Sequence, residues 1–149
     1  MQVQPSVEIL LVGGGSGHSD PRAAELSVAW LPETEAETLS RIAVGLYPVD
    51  RSHPLADGKA GFKAILYMAQ GIPPVVTPTP TNSIIVREGV DGIYAENRGD
   101  WMRAIERLLG DNDLWEAMSL SAFERARLSY SLEVWAPRIV GRLLGLMTG

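Results

Sequence analysis

Residues 56–82, ADGKAGFKAILYMAQGIPPVVTPTPTN, hold the clearest chemistry in the chain. Lys59 and Lys63 stand one turn apart where a helical pattern begins, with Gly58 and Gly61 beside them. The first N–H groups of a helix have no partner inside it, and glycine lets a ligand approach them closely. Two ammonium groups add positive charge on flexible stems. That combination suits a diphosphate or another anion. The residues support a plain alternative equally, in which Lys59 and Lys63 are solvated surface side chains.

Other candidates are weaker. GGGSGH (13–18) suggests a dinucleotide loop, but the third glycine of that spacing is replaced by His18, and the segment before the next strand is short for a crossover. Gly58-Lys59 lacks the upstream glycine and the following Ser or Thr of a phosphate-binding P-loop. Gly14 to His18 misses the nucleophile-elbow pattern at its last position. His18 and His53 are the only histidines and have no ligand spacing, so no metal site is expected. Glu33, Glu35 and Glu37 read as a solvated first helical turn, favoured by the helix dipole, and not as an acid/base set.

The elements that must position Lys59 and Lys63 follow from periodicity. Short apolar runs at 7–12, 26–31, 43–49, 75–77 and 92–95 read as strands. Helical patterns cover 32–42, 61–70, 100–109 and 113–128, with a last helix from 131. Thr34 and Glu37 form a capping-box pattern, and Asn82 caps a short helix through about 88. Phe62, Ile65, Leu66 and Ala69 form the expected buried face of 61–70; Trp101, Ile105, Leu108 and Leu109 that of 100–109. In the last helix, Leu132, Trp135, Ile139, Leu143 and Leu144 are expected to point inward, and Pro137 to kink it or sit in its first turns. Strands alternating with helices predict an α/β fold: a Rossmann-like parallel sheet flanked by helices, ending in a helical tail, as one domain over 1–149. Ligands of such sheets bind beyond the carboxyl ends of the strands, so loops 13–20, 30–34, 48–61 and 78–82 are expected to gather on one rim.

Composition narrows the partners. At 149 residues with 46% hydrophobic and 21% charged residues, the chain suits one ordinary globular domain. A net charge of −5 argues against nucleic acid as a partner. With no cysteine there is no disulfide or thiolate chemistry and nothing pointing to secretion. No apolar run approaches the ~20 residues of a transmembrane helix, and the first residues lack the pattern of a signal peptide. A cytoplasmic protein is the expectation.

The stretch GKAGFKAILYMAQGIPPVVTP, with AVGLYPV upstream and NSIIVREGVDGIY downstream, resembles the group 1 glycosyltransferases of the GT-B fold. More narrowly it is similar to their carboxy-terminal, nucleotide-sugar-binding domain, and the resemblance runs from VEILLVGG through WMRAIERLLGDNDLWEAM. It implies a nucleotide-diphosphate sugar as donor substrate, with no further cofactor. It implies that Gly13 and Gly14 line the donor crevice, that Trp30 and Leu31 lie near the base, and that Lys59, Gly61, Phe62 and Lys63 lie near the diphosphate and sugar. No catalytic residue is carried over onto this chain.

Several positions depart from that family. Much of it carries glutamates at the positions of Gly58 and Leu66, although some branches have the Gly-Lys-x-Gly-Phe-Lys form found here. Pro80 replaces a usual glycine and has no N–H to give a phosphate, and Pro74 opens a strand where a branched residue is usual. The family's amino-terminal domain, and the first strand and helix of the donor domain, have no counterpart in the sequence. A rearranged strand order, or pairing with a second copy, is expected to close the resulting gap. The expected function is therefore donor binding for glycosyl transfer, with turnover requiring an amino-terminal domain or partner subunit. The alternative is a non-catalytic interaction module derived from such a domain.

Overall fold

The computed structural model describes residues 7–12 and 27–147, which divide after Ile42 into two units. In the first unit β1 (Leu11–Val12) and β2 (Ser27–Val28) pair in parallel. A 3-10 turn, Pro32–Thr34, then leads into α1 (Glu35–Ser40). The capping box expected of Thr34 and Glu37 does not form. Pro32 starts a tight turn in which the Thr34 N–H donates to the Leu31 carbonyl at 3.1 Å. Thr34 is thereby held at φ −108 and ψ 3, outside the extended conformation that an N-cap side chain needs to reach forward.

In the second unit β3 (Gly45–Tyr47), β4 (Pro74–Val76) and β5 (Ile93–Tyr94) form a parallel sheet in chain order. Neither a six-stranded sheet nor a shuffled strand order is found among the described residues. Pro74 lies at the first position of the central strand, a place where proline's missing N–H is tolerated. The two crossovers contain α2 (Phe62–Ala69) and α3 (Pro80–Ile85). Three longer helices follow: α4 (Arg98–Gly110), α5 (Asn112–Tyr130) and α6 (Leu132–Met147).

Both faces of this sheet are covered, as expected of a parallel sheet. Successive side chains of a strand point to opposite faces. Val76 therefore joins Ala64, Met68, Ile85 and Ala122 in one apolar cluster, while Val75 joins Ile93, Ala104, Leu108 and Met118 in the other. Helix α5 serves both clusters, through Met118 near its start and Ala122 and Ala126 further on. On β3, Tyr67 of α2 lies so close that a Cβ at Gly45 would stand 2.3 Å from its Cγ.

Three expected faces are revised. Helix α2 buries Ala64 and Met68, whereas Phe62 and Ala69 are exposed. Its residues are apolar nearly all round, and contacts with β3, β4, α3 and α5 select the small residue and the flexible methionine for the tightest place. Helix α4 buries Ala104 and Leu108 and leaves Leu109 exposed. The apolar stripe of α6 faces solvent: Leu132, Trp135, Ile139, Leu143 and Leu144 are all exposed, Leu132 by 75%. Pro137 sits inside this helix.

A side-chain cap fixes the start of α4. Asn97 accepts from the Asp100 N–H at 3.1 Å, and Asp100 accepts from the Asn97 N–H at 3.2 Å, a reciprocal capping box. The N–H groups of Glu96 and Asn97 hold the Asp100 carboxyl below its ordinary pKa. A carboxyl with a lowered folded-state pKa contributes stability above its unfolded value, and that contribution disappears as pH falls through the lowered one. Acid titration of thermal stability is accordingly expected to show a limb below the ordinary aspartate range that Asp100→Asn flattens. Gly45→Ala is expected to destabilise the fold by roughly 1–3 kcal/mol in urea denaturation, because the Tyr67 ring root has to move off the strand.

Candidate functional site

The carboxyl end of β4 carries a buried polar cluster. Thr77 Oγ1 accepts the Val49 N–H at 3.0 Å, tying the exit of β3 to that of β4. Thr79 caps α3, its Oγ1 accepting from the Asn82 N–H at 3.2 Å. The expected cap at Asn82 is thus corrected. Pro80 has a φ preset for the first helical position and needs no N–H there, so the helix starts earlier and Asn82 falls inside it. Asn82 is 1% exposed, and its Nδ2 donates to the Thr77 carbonyl at 2.8 Å. Its Oδ1 is the one buried side-chain polar atom without a hydrogen-bond partner among the described residues.

Directly against this cluster lies the start of α2. Gly61 occupies the N-cap at φ 66, a left-handed conformation that favours glycine. A Cβ there would stand 2.4 Å from Ile85 Cδ1 and 3.0 Å from Asn82 Oδ1, so glycine is required by packing as well. The Gly61 carbonyl accepts from Ala64 N–H at 3.0 Å, which closes the first turn. No side chain caps α2, and N–H groups in a first turn find no acceptor within the helix. Phe62 is 64% exposed at this end. Lys59 and Lys63 are exposed too, and Lys63 Nζ lies 6.0 Å from the centre of the Tyr47 ring.

The surrounding rim is charged. Arg51, beyond β3, pairs with Glu96, beyond β5, at 2.8 Å. Ser52 bonds hold the Asp50 carboxyl below its ordinary pKa, first through its hydroxyl and then through its N–H, with His53 and Lys59 adding a smaller effect. Loops 48–61 and 78–82 do therefore meet at one rim, through Val49, Thr77, Gly61 and Asn82.

Of the residues singled out in the sequence, Lys59, Gly61, Phe62 and Lys63 surround one helix end. Trp30 and Leu31 belong to the other unit; both are about half exposed, and Trp30 Nε1 donates to Glu35 Oε1 at 2.7 Å. Gly13 and Gly14 lie outside the described residues. Thr77, Thr79 and Asn82 were not singled out for the site. Their signal was a cluster of Thr and Asn directly after a fully apolar strand, where exposed polar side chains are not expected to be buried.

Two apolar grooves among the described residues lie elsewhere. One, of about 390 Å³, is lined by Trp135, Arg138, Ile139, Arg142 and Leu143 of α6. The other, of about 210 Å³, runs between α2 and α5 past Phe123 and Tyr130. The end of α2 is an open rim in this unit, since Lys59, Phe62 and Lys63 are all exposed. No group of three or more His, Cys, Asp or Glu side chains among the described residues is placed to hold a metal ion. No helix among them is long and apolar enough to cross a membrane.

The fold is a Rossmann-like α/β domain of the GT-B kind, and comparison with known proteins agrees. No family model matches the chain. A D-inositol 3-phosphate glycosyltransferase of Nocardia farcinica is 31% identical over 136 residues, spanning 81% of this chain. The structure of sucrose-phosphate synthase from Thermosynechococcus elongatus matches 97% of the chain with a TM-score of 0.73 at 19% identity, a likeness of fold. The chain spans 29% of the length of the first protein and 39% of the second. Both likenesses accord with the carboxy-terminal domain of a GT-B glycosyltransferase, the resemblance drawn from the sequence.

Gly61→Ala tests the geometry of the rim. It combines a left-handed φ with a close contact, and is expected to destabilise by about 1–3 kcal/mol or more, measured by urea denaturation. Gly58→Ala serves as control, since the nearest atom to a Cβ there is the Leu55 carbonyl oxygen at 3.7 Å, and is expected to be close to neutral.

Proposed function

We propose that this chain is the donor-binding part of a group 1 glycosyltransferase, and that it holds the diphosphate of a sugar nucleotide at the start of α2. The observation that carries the proposal is an uncapped helix N-terminus, opened by a left-handed Gly61 and flanked by exposed Lys59 and Lys63. The curated relative is named as a glycosyltransferase, which supports glycosyl transfer as the chemistry.

In that reaction the bond from the anomeric carbon to the diphosphate breaks, and a bond to an acceptor hydroxyl oxygen forms. The hydroxyl proton leaves to a base or to the departing phosphate. Negative charge grows on the leaving diphosphate. The free N–H groups of α2 and the two ammonium groups act on that charge, stabilising the transition state more than the bound donor. Acceptor and donor must also be held against each other, so turnover requires a second wall supplied by an amino-terminal domain or a partner subunit. On this reading the protein works in the cytoplasm, where sugar nucleotides are the donors.

Calorimetric titration with UDP, GDP and ADP, and then with their sugar conjugates, tests the proposal. Saturable binding of one nucleotide is expected, with Lys59→Ala and Lys63→Ala each weakening it by about 1 kcal/mol, the attraction of two unit charges 4 Å apart in water. Absence of binding to every nucleotide by the folded protein overturns it.

A second reading has its own observation, the exposed apolar stripe of α6. On that reading the chain is an interaction module. Strong self-association in light scattering, together with no nucleotide binding, would favour it.

A further inference from the structure

Asn82 stands out once the site is described. It is 1% exposed and polar, and three of its four hydrogen-bonding groups are used: its N–H donates to Thr79 Oγ1 at 3.2 Å, its carbonyl accepts from the Val86 N–H at 2.8 Å, and its Nδ2 donates to the Thr77 carbonyl at 2.8 Å. The Thr77 bond fixes the amide's orientation, since an oxygen in place of Nδ2 would face another oxygen. Oδ1 therefore points the other way and has no partner. It lies 3.0 Å from where a Cβ of Gly61 would be, beneath the turn that starts α2. A buried acceptor without a donor is uncommon and costly. Here it faces a helix start whose own N–H groups lack an acceptor.

We propose that Asn82 is a positioning residue of the anion site: from beneath the Gly61 turn, it sets the direction of the first N–H groups of α2. The inference rests on the anion reading above. Its physical content is a competition. The same N–H groups can be drawn inward by Oδ1 or outward by a phosphate oxygen. A neutral amide oxygen is the weaker acceptor, because charge-assisted bonds are roughly twice as strong. With asparagine in place, the turn is oriented without being captured, and the phosphate wins. A carboxylate there would hold the N–H groups itself and would repel the phosphate. This accounts for a neutral side chain at a position under a helix N-terminus, where negative charge would ordinarily be favoured.

The test is Asn82→Asp, of nearly the same shape, with Asn82→Ser as a companion that shortens the side chain and removes both Oδ1 and Nδ2. Each is titrated with the nucleoside diphosphate that the wild-type chain binds and with the matching uncharged nucleoside, and its melting temperature is measured. Asn82→Asp is expected to lose affinity for the diphosphate by about ten-fold or more at neutral pH and to keep its affinity for the nucleoside. Asn82→Ser is expected to show a smaller loss confined to the diphosphate. Should Asn82→Asp fail to fold, Asn82→Ser carries the same comparison. Equal loss of diphosphate and nucleoside would mark Asn82 as a general support of the rim and overturn the proposal. So would wild-type diphosphate affinity in both variants while Lys63→Ala is weakened, and that result would leave the anion reading standing. If the wild-type chain binds no nucleotide, both readings fall together.

Discussion

The second unit depends on the complete burial of β4. Val75 and Val76 admit no solvent and face opposite apolar clusters, so the strand has no side left for water. Its backbone leaves the sheet at a point where unpaired polar groups would be costly. Thr77 and Asn82 meet that demand. Thr77 receives the Val49 N–H, and the Thr77 carbonyl receives Asn82 Nδ2. The exits of β3 and β4 and the start of α3 are thereby locked to one another. The rim is a consequence of that locking, and Gly61 is pressed against it closely enough to exclude any Cβ.

Much of this was legible in the sequence. Continuous apolar runs bounded by Gly and Pro gave the strands, and alternation of strands with helices gave the parallel sheet. The fold class agrees with the likeness to sucrose-phosphate synthase. What failed were local caps and helix faces. Thr34 and Asn82 both match cap patterns, yet the turn begun at Pro32 takes Thr34 out of the extended cap conformation, and Pro80 moves the cap of α3 back to Thr79. Both outcomes depend on φ and ψ, which a residue pattern does not contain. Periodicity says which residues of α6 share a face, but not whether anything lies opposite it. Leu132, Trp135, Ile139 and Leu143 form the expected stripe and are exposed all the same.

The candidate site was legible for a different reason. Glycine and lysine at a helix start signal chemistry through residue type and position, without reference to packing. Asn82 carried no comparable signal, because its importance comes from burial and from Gly61, twenty-one positions earlier, folding onto it. Pro80, which lacks the N–H of the usual glycine, is accounted for by its place at the first position of α3. That proline does not deprive α2 of donors, since those belong to a different helix.

An open rim sets limits on what such a site achieves. Two unit charges 4 Å apart attract by about 1 kcal/mol in water and by about 4 kcal/mol at the effective dielectric near a protein surface. Lys59 and Lys63 are both exposed, so their attraction for a phosphate belongs near the lower figure until another surface excludes water. The N–H groups of α2 differ. They belong to the backbone of a packed helix, so they need little reorganisation to meet charge. On the proposed reading the helix end therefore supplies direction in the unit alone, and the lysines gain strength as a second wall closes. Donor recognition would then precede catalytic competence, and glycosyl transfer would be confined to the enclosed state.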